Sequence, residues 1–354
     1  MKTILVTSTR QYSGKSGICI ALIKELEARQ LDVGYFKPFG TMPERVDGRL
    51  TDQDAYYING GLKRPGAIED VCPVVKTREL LESCMAGERH DLRGQVSEAF
   101  AAASAGRDVM VVEGPSDVFQ ALAVELSVCQ LAIVLGARVL LVDRPERIDF
   151  PDEVLGAADC LHEHLGGVLF NHVDASQDQF VREHVSAFIR ARGIPVFGTI
   201  PVDPVLTSVS VTEIVDALGG AVLSAEDHLD TAVESVMIGA MGQDKALRFF
   251  RRRARKAVVT GGDRADVQLA ALETNTSALV LTGNFPPSSV VLARAEELGV
   301  PMVLVDMDTL SAVERLEQLL GRVRLREPTK AARIRELLMA NVALPELLST
   351  FGIE

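Results

Sequence analysis

A β-branched run, a loop of small residues and a helical pattern follow one another without a break at the start of this chain, and that order leaves few folds open. Ile4-Leu5-Val6-Thr7 reads as a buried strand, and Ser8-Thr9-Arg10-Gln11-Tyr12-Ser13 as a loop. Gly14-Lys15-Ser16 then opens a helix whose apolar positions are Ile18, Ala21, Leu22 and Leu26. This is the layout of a phosphate-binding loop. Backbone N–H groups surround the phosphates, the helix N-terminus adds positive potential, Lys15 reaches the outer phosphates and the Ser16 hydroxyl takes Mg2+. One position departs from the common pattern, because Thr9 stands where a glycine usually leads the loop. The plainer alternative is an ordinary strand-turn-helix start.

The rest of the chain extends that start into an α/β protein. Short runs rich in Val, Ile and Leu at 3–8, 33–37, 109–113, 138–143, 167–171 and 195–200 alternate with helical stretches, which predicts a doubly wound, mostly parallel sheet. Ligands of such sheets sit at the carboxyl ends of the strands. The residues just after each strand are therefore the candidates. Val33-Gly34-Tyr35-Phe36 runs into Lys37-Pro38, and Pro38 ends the regular ladder so that Lys37 faces the crevice. Asp47, Asp52 and Asp54 follow in the next loop, and Val109-Met110-Val111-Val112 ends in Glu113. An acid at that strand end is where a phosphate-binding enzyme places a metal-side carboxylate. Taken singly, each has a bland reading: a snorkelling lysine, solvated loop acids, a capping carboxylate.

With 49 acids against 37 bases the formal net charge is −12, which disfavours nucleic acid or an anionic membrane as a partner. The exception, Arg251-Arg252-Arg253-Ala254-Arg255-Lys256, reads as a solvated helix end. Cys19, Cys72, Cys84, Cys129 and Cys160 lack the paired spacing of a zinc or redox site. Neither a leader nor a membrane span is expected, and a cytoplasmic location is.

The combination Ser8-Thr9, Gly14-Lys15-Ser16, Lys37-Pro38, Asp54 and Val112-Glu113-Gly114 resembles dethiobiotin synthetase, whose catalytic domain recurs in cobyrinic acid a,c-diamide synthases. The loop of that family is one residue longer than the common one and starts Gly-Thr, which Ser8-Thr9 would match. The resemblance implies ATP and Mg2+ as cofactors. It implies that Lys15 and Lys37 contact phosphates or a phosphorylated intermediate, as the catalytic groups. Ser8, Thr9, Ser13, Gly14, Lys15, Ser16 and Gly17 would cradle the nucleotide, and Ser16, Asp54 and Glu113 would gather the metal. Asn171 matches the adenine-side asparagine, and 198–204, with Ile200 and Pro201, the base-flanking loop. Two features depart from the family: Ser8 replaces the first loop glycine, and Gly114-Pro115-Ser116-Asp117-Val118 replaces a glycine-rich turn. Thr41 and that turn are the weak candidates for an acceptor side.

A boundary is expected near Leu218-Gly219-Gly220, dividing the chain into 1–217, 222–325 and a helical tail, 326–354. The second region alternates again: strand 256–260, helix 264–273, strand 278–282, helix 287–298, strand 301–305 and helix 309–320. It resembles the DRTGG domain through Ile238-Gly239-Ala240-Met241, Gly262-Asp263-Arg264-Ala265-Asp266-Val267 and Leu281-Thr282-Gly283, although the naming pentapeptide is absent. Gly261, Gly262, Asp263 and Arg264 form a turn suited either to an anion or to plain capping, with Asp263 as the expected N-cap. The order of the two domains is similar to the N-terminal region of long bacterial phosphate acetyltransferases. Neither an acetyl-transfer nor a glutaminase domain is expected within these residues.

Three functions are open at this point. The chain is a nucleotide-responsive protein with a regulatory second domain, a ligase that activates a carboxylate or carbamate with ATP, or a structural accessory chain. The intact Gly-Lys-Ser counts against the third, and the regulatory-type second domain counts against the second, which leaves the first preferred. A homodimer is expected from the resemblance, with an unidentified small-molecule acceptor or protein partner.

Overall fold

The computed structural model describes residues 1–321 and 328–353. The chain forms two compact units, one made of Met1–Asp203 with Leu325–Glu354, the other of Pro204–Arg324. The expected boundary at 325/326 lies outside the described residues.

The first unit is built on six parallel strands: β1 (Lys2–Ser8), β2 (Val33–Phe36), β3 (Val109–Glu113), β4 (Arg138–Asp143), β5 (Leu165–Val173) and β6 (Val196–Pro201). Their order is β6-β5-β4-β1-β3-β2. From β1 the chain goes to β2 at one edge, returns to fill the gap with β3, then crosses to β4 on the other side of β1, so a crevice opens at the carboxyl ends of β1, β3 and β4. Helices α1 (Lys15–Ala28), α2 (Gln53–Gly60), α3 (Leu92–Ser104) and α4 (Phe150–Leu161) surround the sheet. Leu5, Phe36, Met110 and Val112 pack with Val96 and Phe100 of α3, while Leu141, Val168 and Phe170 pack with Phe150 and Val154 of α4. Strands buried on both faces read as continuous apolar runs, and that made them legible.

The second unit has a five-stranded sheet with helices on both faces. In chain order its elements are α5 (Val211–Leu218), β7 (Ala221–Ser224), β8 (Ser235–Ile238), α6 (Gln243–Phe250), β9 (Lys256–Gly261), α7 (Ala265–Leu272), β10 (Thr276–Thr282), α8 (Ser289–Leu298), β11 (Met302–Leu304) and α9 (Thr309–Gly321). The strand order is β7-β11-β10-β9-β8, with β7 alone antiparallel. Alternate residues feed two cores. Ala257, Val259 and Val280 pack with α5 and α9, and Val258, Leu279 and Leu281 with α6, α7 and α8. Helix α5, read from the sequence as the end of the first domain, belongs to this unit and starts on a Ser210–Glu213 capping box.

The chain returns to the first unit through α10 (Pro328–Asn341) and α11 (Leu344–Thr350). Arg335 on α10 reaches Glu25 on α1 with two nitrogens, at 3.1 and 2.9 Å. Between the two helices Val342 bridges to Gly198 and the Ala343 N–H donates to the Phe197 carbonyl at 2.8 Å, which covers the open edge of β6. That pairing divides the expected helical tail into two helices.

Several expectations shift in detail. Asn171 lies inside β5, which continues to Val173 in register with Pro201. β7 and β8 were not anticipated. Residues 251–255 are exposed as expected, but Lys256 is fully buried and donates to Thr274 Oγ1 and the Asn275 carbonyl. All five cysteines are free thiols. Among the described residues no helix is long and apolar enough to cross a membrane.

Candidate functional site

The phosphate loop, Thr9–Gly14, joins β1 to α1. Gly14 caps the helix with φ 84°, in the left-handed region, and a Cβ there would come within 2.3 Å of Asn171 Nδ2. Both facts demand glycine. The loop is held from several sides. Ser13 Oγ donates to the Arg10 carbonyl at 2.9 Å, and Asn171 Nδ2 donates to the Ser13 carbonyl at 2.9 Å. Ser8 Oγ lies 2.7 Å from the Arg10 carbonyl and 2.8 Å from that of Ser116, and Thr9 Oγ1 donates to Asp143. Hydroxyl contacts thus fix a loop whose leading residues are not glycine.

Lys15 is buried. Its ammonium donates to Ser8 Oγ at 2.8 Å and to the Ser116 carbonyl at 2.7 Å, neutral partners with no charge of their own. Burial pushes it down to about 8, with Glu113 opposing and Lys37 adding to the effect. An ammonium in that state gains from an arriving anion.

Beside it lies a second group of charges. Phe36 is in register with Val112, so Lys37 comes level with Glu113 at the strand ends. Lys37 Nζ is 2.8 Å from Asp52, 3.4 Å from Glu113 and 3.6 Å from Asp54. Burial alone would lower the lysine, but the three carboxylates outweigh it and hold Lys37 well above its ordinary value. Asp52 caps α2: it accepts the N–H groups of Asp54 and Ala55 at Oδ1 and those of Thr41 and Met42 at Oδ2. Its capacity is thereby spent on the loop and on Lys37. Glu113 accepts from the Tyr35 hydroxyl at 2.8 Å on one oxygen and from Ser16 Oγ at 3.0 Å on the other, and Ser16 Oγ is 3.4 Å from Asp54. Burial pushes Asp54 up to about 6, Lys37 opposing and Glu113 and Asp52 adding to it.

The structure thus brings Lys15, Ser16, Lys37, Asp54 and Glu113 to one end of the sheet. Gly17 is buried in the first turn of α1. Ile200 and Pro201 stand on β6, three strand spacings from β1, or about 14 Å. In the second unit, Arg264 rather than Asp263 is the N-cap residue of α7, without a side-chain cap bond, which corrects the expectation for Asp263. Arg264 is engaged by Asp266 and by the Met241 carbonyl at 3.0 Å, and Gln268 donates to the carbonyls of Gly261 and Gly262 at 3.0 Å each. A Cβ on Gly262 would meet the Phe285 carbonyl oxygen at 1.6 Å, so this turn needs glycine for close backbone approach.

Two contributors, Tyr35 and Asp143, escaped the sequence, and Asp52, one of the loop acids named there, acts as a support. Tyr35 and Asp52 support Glu113 and Lys37 respectively, and Asp143 ends β4 beside Thr9. Asp143 is fully buried, and burial pushes it up to about 6 against the hydrogen bond from Thr9. The same strand-end rule that picks out Glu113 picks it out too.

Comparison with known proteins agrees with the two-unit layout. The AAA domain family profile (AAA_26), of dethiobiotin-synthetase-like P-loop proteins, matches residues 2–210, and the DRTGG domain profile matches 213–319. The phosphate acetyltransferase of Nitrosomonas europaea is 26% identical over 98% of this chain and 51% of its own length. That of Pseudomonas putida is 25% identical over 97% of this chain and 51% of its own. The chain spans about half the length of these curated relatives. A crystal structure of the CBS and DRTGG domains of a Clostridium perfringens pyrophosphatase, complexed with diadenosine tetraphosphate, is 20% identical over 39% of this chain and 67% of its own, with a TM-score of 0.29.

Proposed function

Since the chain belongs to the AAA domain family and carries a DRTGG domain behind that domain, we propose that it binds ATP with Mg2+ at the phosphate loop and that the second unit makes it a nucleotide-responsive regulatory protein. The observation that carries this reading is the convergence of Lys15, Ser16, Lys37, Asp54 and Glu113 at the switch point of the sheet. Backbone N–H groups of the loop and the start of α1 would face the phosphates, with Lys15 released from its neutral partners to pair with them.

The oxygens present suit Mg2+. Ser16 Oγ, Glu113 and Asp54 are hard donors, the two carboxylates lying 3.0 and 3.4 Å from the Ser16 hydroxyl. Among the described residues no group of three or more His, Cys, Asp or Glu forms a dedicated metal cage. Mg2+ would be held there by Ser16, Asp54 and Glu113 together with phosphate oxygens and water. The metal would neutralise charge on the phosphates, and Lys37, held charged by its three acids, would add to that effect.

Calorimetric titration with ATP and ADP, with and without Mg2+, tests the reading. Binding strengthened by Mg2+ and lost in Lys15→Ala is the expected result. Affinity unchanged in Lys15→Ala would refute the phosphate-loop assignment.

A further inference from the structure

Asp143 is out of place in an anion-binding site. Ser8 is in register with Val142, so Asp143 comes level with Thr9, the first residue of the phosphate loop. Its carboxyl is buried, Oδ1 accepts from Thr9, and Oδ2 has no hydrogen-bond partner among the described residues. The charged groups around it are balanced without it. From the loop comes Arg10, whose guanidinium is bound by Glu153 of α4; on its own strand end, Arg144 pairs with Glu146 at 2.9 Å. On β5, Phe170 is its register partner, and burial, aided by Arg144, lowers His172 to about 4 and keeps that ring neutral. Among the described residues both nearby guanidinium groups are thus already matched by carboxylates other than Asp143.

A buried carboxylate with one oxygen unused is costly, and it becomes more so when phosphate charge enters the same low-dielectric crevice. A proton resolves both. Resting on the nucleotide reading of this site, we propose that Asp143 is a positioning residue: it anchors the phosphate loop through Thr9, and it holds a proton on Oδ2 whenever the loop holds nucleotide phosphates. One proton is taken up from solvent as the nucleotide binds and is returned when it leaves. The anchor stands in for the glycine that usually leads such a loop. In the free protein burial already pushes this acid up to about 6, so near neutral pH it is largely ionised until the phosphates arrive.

The test uses the full chain titrated with ADP and Mg2+ between pH 5.5 and 8.0, in wild type and Asp143→Asn. The amide keeps an acceptor for Thr9 and cannot ionise. The ratio of wild-type to variant Kd cancels the titrations of ADP, Lys15 and Asp54, which both proteins share. It is expected to be level below about pH 6 and to rise above it, approaching tenfold per pH unit. A purely structural role would change affinity by one factor at every pH, so a flat ratio overturns the proposal. Thr9→Val supplies a second handle if Asp143→Asn does not fold. Losing the hydrogen bond that stabilises the carboxylate moves the break in the wild-type profile to higher pH, and an unmoved break overturns the proposal. Absence of binding to wild type at every pH overturns the nucleotide reading itself, and this inference with it.

Discussion

Tyr35 decides how Glu113 is presented. Its hydroxyl is buried, and burial together with Glu113 holds it neutral, well above its ordinary value. It therefore serves as a permanent donor that fixes one carboxylate oxygen and turns the other toward Ser16. Tyr35→Phe removes one hydrogen bond from a charged acceptor, worth about 1.5–3 kcal/mol. The expected outcome is a several-fold loss of the Mg2+-dependent part of nucleotide binding with Mg2+-free binding unchanged, read by the same titration. Equal losses with and without metal would show that the tyrosine acts on the loop as a whole. At this scale the sequence was legible where chemistry interrupts an apolar run. Glu113 after four apolar residues and Lys37 before Pro38 stand out in that way. Asp143 obeys the same rule after Val139-Leu140-Leu141-Val142, but Asp143-Arg144-Pro145 also reads like an ordinary polar strand end, and what sets it apart is a buried oxygen without a hydrogen-bond partner among the described residues. Tyr35 is hidden for the opposite reason: inside a strand it looks like core.

Among the elements, α10 ties α1 to the sheet edge. Arg335 grips buried Glu25, and Arg333 holds Asp203 at 2.9 and 2.8 Å just after β6. For Glu25 burial raises the carboxyl, but the hydrogen bonds of Arg29 and Arg335 outweigh it and leave it below the ordinary value. A depressed carboxylate contributes stability above its unfolded value and loses it as pH falls through the folded one. Arg335→Ala is therefore expected to lower stability by about 2 kcal/mol near pH 7, with the difference from wild type shrinking toward pH 3. Thermal melts of the two proteins across that range check it, and a difference independent of pH would mean that the arginine acts by packing alone. The sheet strands were legible as elements because they are apolar throughout. The tail was legible only as helix. That it pairs with β6 is a long-range event, and no local pattern announces it.

For the whole molecule, the second unit is an insertion. Residues 204–324 leave the first unit after β6 and the chain returns to complete it. A chain stopped at Asp203 keeps the phosphate loop and all six strands but uncovers the α1 face and the edge of β6. It is expected to be insoluble or molten. Replacing 204–324 by a flexible linker restores the covering helices and is expected to give a cooperatively melting first unit that still binds nucleotide. Circular dichroism melts and gel filtration of the two constructions decide this, and a well-folded 1–203 fragment would show that the tail is dispensable. The fold class was legible from strand and helix alternation, whereas the discontinuity was not, because the sequence divides at Gly219-Gly220 as readily as at Pro204.

Returning to close the first unit gives the tail a consequence for synthesis. On the ribosome, β1 to β6 emerge early, yet α10 and α11 follow only after the entire second unit has been made. Domains that fold as they emerge usually do so in order from the N-terminus. Here the later unit can finish before the earlier one, and for the time it takes to add about 150 residues the nascent first unit presents a bare strand edge. A chaperone that shields such an edge during translation would meet this chain in that interval, and the last turns of helix would release it.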